Sequence, residues 1–563
     1  MYLGKRGILQ FLVIFLLFPV SVSGQTGKTH KYHFKGDLQE TTISPSQHSI
    51  IINYLLSELN VTSLSGENGT FYRISVPGHV LTTDPGKPEL PLFQKLVSIP
   101  KGSRAHIRIS NVISTRVIPS KQAIKGILMP SQHGESKIKD KDRPEFVLDK
   151  KVYSIAGPIK SDTVKIEYLG RIREREISNL IISPVRYNPG ANHLEIITSM
   201  RIEITFPEET ILASKSLNYE SIPFNQTLEK GILNYYPEDM ITGYSEKPVG
   251  MIIVSDTTFR KHIEPFILWK TQKGFRMTVL YAGEVGSTYA EIKNAIAVAY
   301  NSLKASGNSP EYLLIIGDVS KVPYFGTGNV SDMYYGELDG DGDYIPDMFI
   351  GRIPASDTSE VRSVVNKIIQ YERFGFDESN TFSSRALALA GKDANYANYM
   401  NGQIRYAVTN YLKPENNITP FYFYDSEGFT KKDSVIKLIN NGLSFINYTG
   451  HGTQSGWLHL EFKTADIRNL RNENMYPFII SNACRTAQFN DTASFGNRFL
   501  LASKKGAIGF IGCSNDSYWD EDFNWAVGAG IPGSDPKYLE TGLGAYDRLF
   551  HTHGEVPSEW YTT

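Results

Sequence analysis

The chain has 563 residues, of which 41% are hydrophobic and 12% aromatic. It is therefore too long for a single core and apolar enough to form two or three globular units. Its 58 basic and 59 acidic side chains nearly cancel, which argues against nucleic acid or a polybasic membrane contact as the partner. A protein, peptide or small molecule is the favoured partner.

The N-terminus has the layout of a secretory signal peptide. Lys5 and Arg6 precede an apolar run over 8–20, and small residues follow up to Gly24. The run is too short to cross a bilayer comfortably, and no later stretch is long and apolar enough for a membrane helix. We therefore expect residues 1–24 to direct export, the mature chain to have no transmembrane segment, and the protein to be secreted or at the cell surface.

The cysteine content excludes a disulfide framework. Cys484 and Cys513 are the two cysteines of the sequence, so at most one bridge can form. An exported chain of this size must then depend on its core, on a metal ion or on both.

Residues 25–240 are predicted to form a β-rich module. Apolar and polar side chains alternate there, as at 164–168 and 200–206, which is typical of half-buried antiparallel strands. Turn-forming Pro and Gly residues, for example at 84–86 and 188–190, separate the runs.

Residues 241–563 have a different pattern, in which short apolar runs alternate with amphipathic segments. This pattern is typical of parallel strands joined by helices. The predicted strands lie at 250–254, 277–281, 312–316, 386–390, 443–448, 478–481 and 507–511. We expect an α/β domain with a doubly wound, mostly parallel sheet, whose functional groups gather beyond the carboxyl ends of the strands.

Three predicted strands are followed by residues that can carry out catalysis: Asp393, His451 and Cys484. A thiolate nucleophile needs an imidazole to take its proton and a carboxylate to orient that imidazole. A lone cysteine after an apolar strand is more often an inert buried thiol, but the glycines flanking His451 favour close approach of a substrate. The N-terminus of a helix predicted from near Ser494, or an adjacent imidazolium, would lower the pKa of the Cys484 thiol.

An acidic loop at 339–347 is a candidate metal site. It contains Asp339, Asp341, Asp343 and Asp347 with glycines between them. Such oxygen donors suit Ca²⁺, and without a cation the charges would repel one another. The loop departs from an EF-hand because it has no Glu at the twelfth position and contains Pro346. The alternative interpretation is a solvated acidic turn.

Three stretches of the second half resemble the gingipain family of cysteine peptidases, and its lysine-specific branch more than its arginine-specific one. They are YTGHG at 448–452, NACRTAQF at 482–489 and SYWDED at 517–522. The similarity extends from about residue 248 to near the end, and residues 25–240 are similar to the family's β-rich propeptide.

The resemblance implies a caspase-like catalytic domain. Cys484 would be the nucleophile, His451 the general base and acid, and Asp393 the carboxylate behind the histidine. The backbone N–H groups of Gly452 and Cys484 would form the oxyanion hole.

The resemblance also implies a pocket for a basic side chain. Asp522 would bind the lysine ammonium of the substrate, with Trp519 as a wall and Thr449 as a polar contact. Without the resemblance, residues 520–522 would be interpreted as a solvated acidic loop. Cys513 stands where the family usually has a small hydroxyl residue, and on oxidation it could pair with Cys484.

The calcium ligands implied by the resemblance are Asp341, Asp343, Asp347 and the carbonyl of Ile345. The residues implied for catalysis already include a nucleophile, a base and an acid. A structural role for the ion is therefore favoured over a catalytic one.

The sequence thus predicts a signal peptide at 1–24, an inhibitory propeptide at 25–240 and a catalytic domain at 241–563, truncated at its C-terminal end. The leading hypothesis is a secreted cysteine endopeptidase zymogen that cleaves proteins or peptides after basic residues, preferably lysine, with Lys230 as a candidate processing point. The alternatives are an arginine-specific or secretion-system processing peptidase of the same family, or a calcium-dependent binding module with an inactive site.

Overall fold

The computed structural model describes residues 25–34, 40–46, 49–99, 104–141, 143–173, 175–206, 223–224, 228, 231–235, 248–326, 330–340, 343–374, 381–425, 432–528, 530, 532–538, 541 and 544–550. The predicted signal peptide and the candidate processing point at Lys230 lie outside these residues. Within them, no helix has the length and apolarity needed to cross a membrane.

The N-terminal part is β-rich, as predicted. Its elements are β1 (Gln25–His33), β2 (Thr42–Pro45), β3 (Ser49–Leu55), β4 (Glu58–Gly66), β5 (Gly69–Ser75), β6 (Val80–Leu81), β7 (Pro91–Ile99), β8 (His106–Val117), β9 (Ile127–Leu128), α1 (Lys150–Tyr153), β10 (Val164–Ile172), β11 (Arg175–Ile182), β12 (Val185–Asn188) and β13 (His193–Thr205). Three sheets form, with strand orders β1-β4-β5-β9, β10-β11-β7-β6 and β12-β13-β3-β2; β8 also pairs with β13.

The period-two sequence pattern explains these sheets. In β13, Ile202 and Ile204 are fully buried, whereas Arg201 and Glu203 stay partly exposed. One face of the strand therefore packs into the core and the other meets solvent.

The C-terminal part is α/β. Its elements are β14 (Gly250–Asp256), α2 (Arg260–Gln272), β15 (Arg276–Ala282), α3 (Tyr289–Ala305), β16 (Tyr312–Ile316), β17 (Phe349–Ile353), α4 (Thr358–Glu372), β18 (Arg385–Ala390), α5 (Ala397–Asn410), β19 (Thr419–Phe423), α6 (Lys432–Asn440), β20 (Phe445–Thr449), β21 (Gly452–Thr453), β22 (Gly456–Trp457), β23 (Phe462–Lys463), α7 (Thr464–Ile467), β24 (Phe478–Asn482), α8 (Phe495–Leu501), β25 (Gly509–Gly512), α9 (Trp519–Val527) and α10 (Ala545–Leu549).

Two parallel sheets account for most of these strands, and their orders are β15-β14-β16-β17 and β19-β18-β20-β24-β25. The parallel α/β architecture was predicted, but its division into two sheets was not. β17 and β19 were also missed. Both are edge strands, and Gly351 and Pro420 interrupt their apolar patterns.

The order β18-β20-β24 determines where the site lies. Ala390 pairs with Thr449, and Thr449 pairs with Asn482, so the three strands end side by side. The segments that carry Asp393, His451 and Cys484 therefore leave the sheet at the same edge, as the sequence predicted.

Candidate active site

Small residues allow the strand ends to approach closely. A Cβ atom on Gly450 would lie 3.0 Å from the Cα of Gly391, and one on Gly452 would lie 2.8 Å from the Cβ of Ala483. The predicted reason for these glycines was the approach of a substrate. The structure shows that neighbouring protein atoms already leave no room for a side chain, and that Gly452 lies against the segment containing Cys484.

Asp393 orients His451. Its Oδ2 lies 2.8 Å from Nε2 of the imidazole, and its Oδ1 accepts a hydrogen bond from the backbone N–H of Asn395 at 2.8 Å. Burial alone would raise the pKa of Asp393, but the hydrogen bonds from His451 and from the backbone lower it below its usual value. The carboxylate is therefore ionised and held in one orientation.

The Cys484 thiol is buried, with 1% of the residue exposed. Its Sγ accepts a hydrogen bond from the backbone N–H of Ser517 at 3.3 Å and lies 3.6 Å from the Ser517 hydroxyl. Burial raises the pKa of Cys484, although these contacts oppose the effect. The predicted lowering of its pKa is therefore wrong for the intact chain, because the thiol is shielded from water; the helix that was expected to lower it does begin at Phe495, as predicted.

A segment of the N-terminal part lies in the site in extended form. Residues 135–137 run antiparallel to residues 517–519, with Ser136 paired to Tyr518. Lys137 N donates to Ser517 O at 2.8 Å, and Trp519 N donates to Glu135 O at 3.0 Å. This backbone pairing is the way in which an extended peptide adds a strand to an exposed edge.

The Lys137 side chain occupies a pocket and is 0% exposed. Its Nζ lies 2.8 Å from Asp522 Oδ2 and 2.6 Å from the carbonyl oxygen of Asn482. The Trp519 ring centroid is 5.0 Å away, and that ring stacks on Tyr396 at 4.3 Å. A carboxylate, a carbonyl and an aromatic face thus surround one ammonium group.

The pocket contains two of the three residues predicted for it. Asp522 and Trp519 contact the ammonium, whereas Thr449 is buried at the end of β20 and its hydroxyl has no hydrogen-bond partner within the described residues. Asn482 supplies the polar contact instead, through its backbone carbonyl at 2.6 Å and more weakly through its side-chain Oδ1 at 3.5 Å. Because the shorter contact uses a backbone atom, the residue type alone does not identify it.

The backbone carbonyl of Lys137 engages the imidazole. His451 Nδ1 lies at hydrogen-bond distance from this carbonyl oxygen, while Nε2 lies 2.8 Å from Asp393 Oδ2. Both ring nitrogens therefore have partners within the chain, and neither is open to the Cys484 thiol.

Cys513 is a free thiol, as is Cys484. Burial, followed by the charge of Asp522, raises the pKa of Cys513 to about 12. The Cys513 thiol therefore stays protonated at neutral pH, and its pairing with Cys484 on oxidation stays a prediction.

The acidic loop contacts the N-terminal part. Asp343 accepts a hydrogen bond from the backbone N–H of Arg171 at 2.7 Å, and Asp347 accepts one from Arg173 N at 2.5 Å. Arg171 also pairs with Asp339 at 3.3 Å. The turn between β10 and β11 thus covers the loop.

The described part of the loop fits a hard cation. Asp343 and Asp347 are 8% and 1% exposed, and burial together with the charge of Asp339 raises the pKa of Asp347 to about 7. Glu337 Oε1 is buried without a partner among the described residues. Asp341 lies outside those residues, within which no group of three possible side-chain ligands is assembled. Burying carboxylates close to one another is energetically unfavourable, and a cation bound between them would reduce this cost.

Both parts of the chain have relatives among known proteins. Residues 244–558 match the model of peptidase family C25, and residues 30–239 match the model of that family's propeptide. Lys-gingipain of Porphyromonas gingivalis is 32% identical over 511 residues, which are 88% of this chain and 29% of that protein. Gingipain R2 of the same species is 24% identical over 83% of this chain and 63% of its own length.

A solved structure described as that of a protease is 32% identical, with a TM-score of 0.51 over 54% of this chain and 68% of that one. The chain therefore belongs to peptidase family C25: it is a gingipain-family cysteine peptidase that carries the family's propeptide. It spans 29% of the length of Lys-gingipain.

Proposed function

We propose that this chain is the zymogen of a cysteine endopeptidase that cleaves proteins or peptides after lysine. The observation that supports this most is the chain's own Lys137, whose ammonium lies against Asp522. Its carbonyl meets His451, and its N–H bonds Ser517, the residue that contacts Cys484 Sγ. The enzyme thus binds a lysyl peptide of its own propeptide much as it would bind a substrate.

In the proposed reaction, His451 takes the proton of the Cys484 thiol and the thiolate attacks the carbonyl carbon of the substrate lysine. Asp393 keeps the imidazole oriented and stabilises the imidazolium that forms. The N–H groups of Gly452 and Cys484 stabilise the oxyanion, each contributing about 3 kcal/mol. His451 then protonates the leaving amine, and water activated by the same imidazole releases the acyl group.

The contacts of Lys137 favour lysine over arginine. An ammonium is compact, and here it reaches both Asp522 Oδ2 and Asn482 O at hydrogen-bond distance. A guanidinium is longer and planar, so it would have to displace one of these acceptors. The arginine-specific alternative has no comparable support in this pocket.

Replacing Asp522 tests the proposed pocket. Removing its charge leaves the ammonium of the substrate unpaired, a loss of about 3–5 kcal/mol. In enzyme activated from the full chain, Asp522→Asn should therefore lower kcat/KM for a short lysyl amide by at least about 100-fold, while iodoacetamide still alkylates Cys484. Glu521→Gln, one residue away, is the charge-matched control and should keep its turnover.

Two outcomes would refute the assignment. Equal turnover of Asp522→Asn and parent enzyme would show that the carboxylate does not bind the substrate. Undiminished turnover in Cys484→Ala would remove the proposed nucleophile, and Cys513→Ser serves as its thiol control.

We further propose that Lys137 keeps the zymogen inactive. Its side chain fills the pocket, and its carbonyl occupies Nδ1 of His451. The buried thiol stays protonated, because burial raises its pKa. The base is thus blocked, and the nucleophile is held in its unreactive form.

Loss of the Lys137 ammonium should weaken this inhibition. Lys137→Ala leaves the Asp522 carboxylate buried and unpaired, which destabilises the inhibited state of the zymogen. Alkylation of Cys484 should therefore become at least about tenfold faster. The labelling rate of the uncut full chain with iodoacetamide measures this effect. Lys139→Ala, at an exposed neighbouring lysine, is the control. Identical labelling of Lys137→Ala and parent chains would contradict the proposal.

We propose that Asp341, Asp343, the Ile345 carbonyl and Asp347 hold a structural Ca²⁺. The ion would neutralise the loop charges and tie the loop to the domain. Its binding should stabilise the folded chain by mass action, by about 2.7 kcal/mol at 100 times the dissociation constant. The melting temperature should therefore fall in excess chelator and recover with Ca²⁺, and Asp343→Asn should reduce this difference. Superimposable melting curves with and without Ca²⁺ would leave only the acidic-turn interpretation.

We also propose that residues 1–24 direct export, which would make the protein secreted or surface-bound. The support is the charged, apolar and small-residue order of that segment. Synthesis as a zymogen is consistent with export, since a peptidase that is active before it leaves the cell would damage that cell.

A further inference from the structure

The loop that carries Asp393 is anchored at each successive backbone N–H group. The acceptors are Thr449 O for Gly391 N at 2.7 Å, His459 Nδ1 for Lys392 N at 3.2 Å, and the carboxylate of Asp425 for Asp393 N. Two of the three are side chains, so this part of the loop is held by residues that can be exchanged without altering the backbone.

His459 contacts the His451 ring and the backbone of the residue that precedes Asp393. It lies in the turn between β22 and β23, half-buried, and its ring meets that of His451 edge-on, with centroids 5.2 Å apart and planes at 61°. The same ring accepts the hydrogen bond from the residue that precedes Asp393. One side chain therefore links the carboxylate loop to the catalytic imidazole.

The hydrogen bond fixes the state of the His459 ring. To accept from Lys392 N, its Nδ1 must be unprotonated and its hydrogen must be on Nε2. Burial, followed by the charges of His451 and Lys139, lowers the pKa of His459 to about 4; Lys392 acts in the same direction and Asp393 opposes it. The ring is therefore neutral, and able to accept, throughout the neutral pH range.

We propose that His459 is a positioning residue of the active site, which fixes the Asp393 loop through Lys392 N and supports the ring of His451. The proposal rests on the catalytic roles assigned above to Asp393 and His451. Its physical basis is that small displacements in an active site, of about 1 Å, can cost about 100-fold in rate. A single backbone hydrogen bond next to the carboxylate can therefore affect turnover strongly.

Two substitutions separate the hydrogen bond from ring packing. His459→Phe keeps an aromatic ring beside His451 but removes the acceptor. His459→Asn removes the ring but keeps an acceptor, because Asn Oδ1 and His Nδ1 are the same number of bonds from Cα. In enzyme activated from the full chain, kcat for a short lysyl amide should fall at least tenfold in His459→Phe with KM nearly unchanged, and His459→Asn should recover most of it.

His459→Gln provides a second loss-of-acceptor variant that does not require a phenylalanine to fit the site. Its amide oxygen lies one bond further out, so its kcat should also be low. The inference is overturned if His459→Phe or His459→Gln turns over like the parent enzyme. It is equally overturned if His459→Asn is as slow as His459→Phe while both melt like the parent, since the acceptor would then have no role. Failure of the proposed function has a different signature, namely undiminished turnover by Cys484→Ala.

Discussion

The buried ion pair between Lys137 and Asp522 is the contact on which the state of the active site depends. Lys137 is 0% exposed and the Asp522 side chain 13%, so each charge has lost most of its water and relies on the other. The same lysine brings its carbonyl to His451 and its N–H to Ser517. One residue therefore determines the occupancy of the pocket and the hydrogen bonding of the imidazole.

Other contacts hold the same two parts of the chain together. The Tyr396 hydroxyl donates to Glu135, two residues before Lys137, and the β10–β11 turn donates backbone N–H groups to Asp343 and Asp347. These contacts are partly or fully buried. The N-terminal part is thus anchored at the acidic loop as well as at the cleft.

Local patterns in the sequence were sufficient to predict the fold class and to bring the candidate catalytic residues to one edge of the sheet. Period-two alternation predicted β13, and buried apolar runs predicted β18, β20 and β24. Since neighbouring parallel strands end at one edge, the segments with Asp393, His451 and Cys484 could be placed together before the structure was known. The family motifs added Asp522 and Trp519.

The contacts that were missed are long-range or depend on backbone atoms. Lys137 and Asn482 are 345 positions apart. The sequence around Lys137 contains no pattern that would predict a buried rather than a solvent-exposed lysine. Asn482 makes its shorter contact through a backbone carbonyl, and the proposed effect of His459 depends on a backbone N–H. The Cys484 thiol was expected to have a lowered pKa because a sequence gives no account of its burial.

Chemical modification of Lys137 tests the central claim most directly. In the full chain carrying Cys484→Ala, which cannot process itself if the assignment is right, amine acetylation followed by mass spectrometry gives a rate for each lysine. A buried, paired ammonium should react far more slowly than that of Lys139, and the difference should vanish in denaturant. Equal rates for Lys137 and Lys139 in the native chain would show that the pocket is empty and would contradict the account.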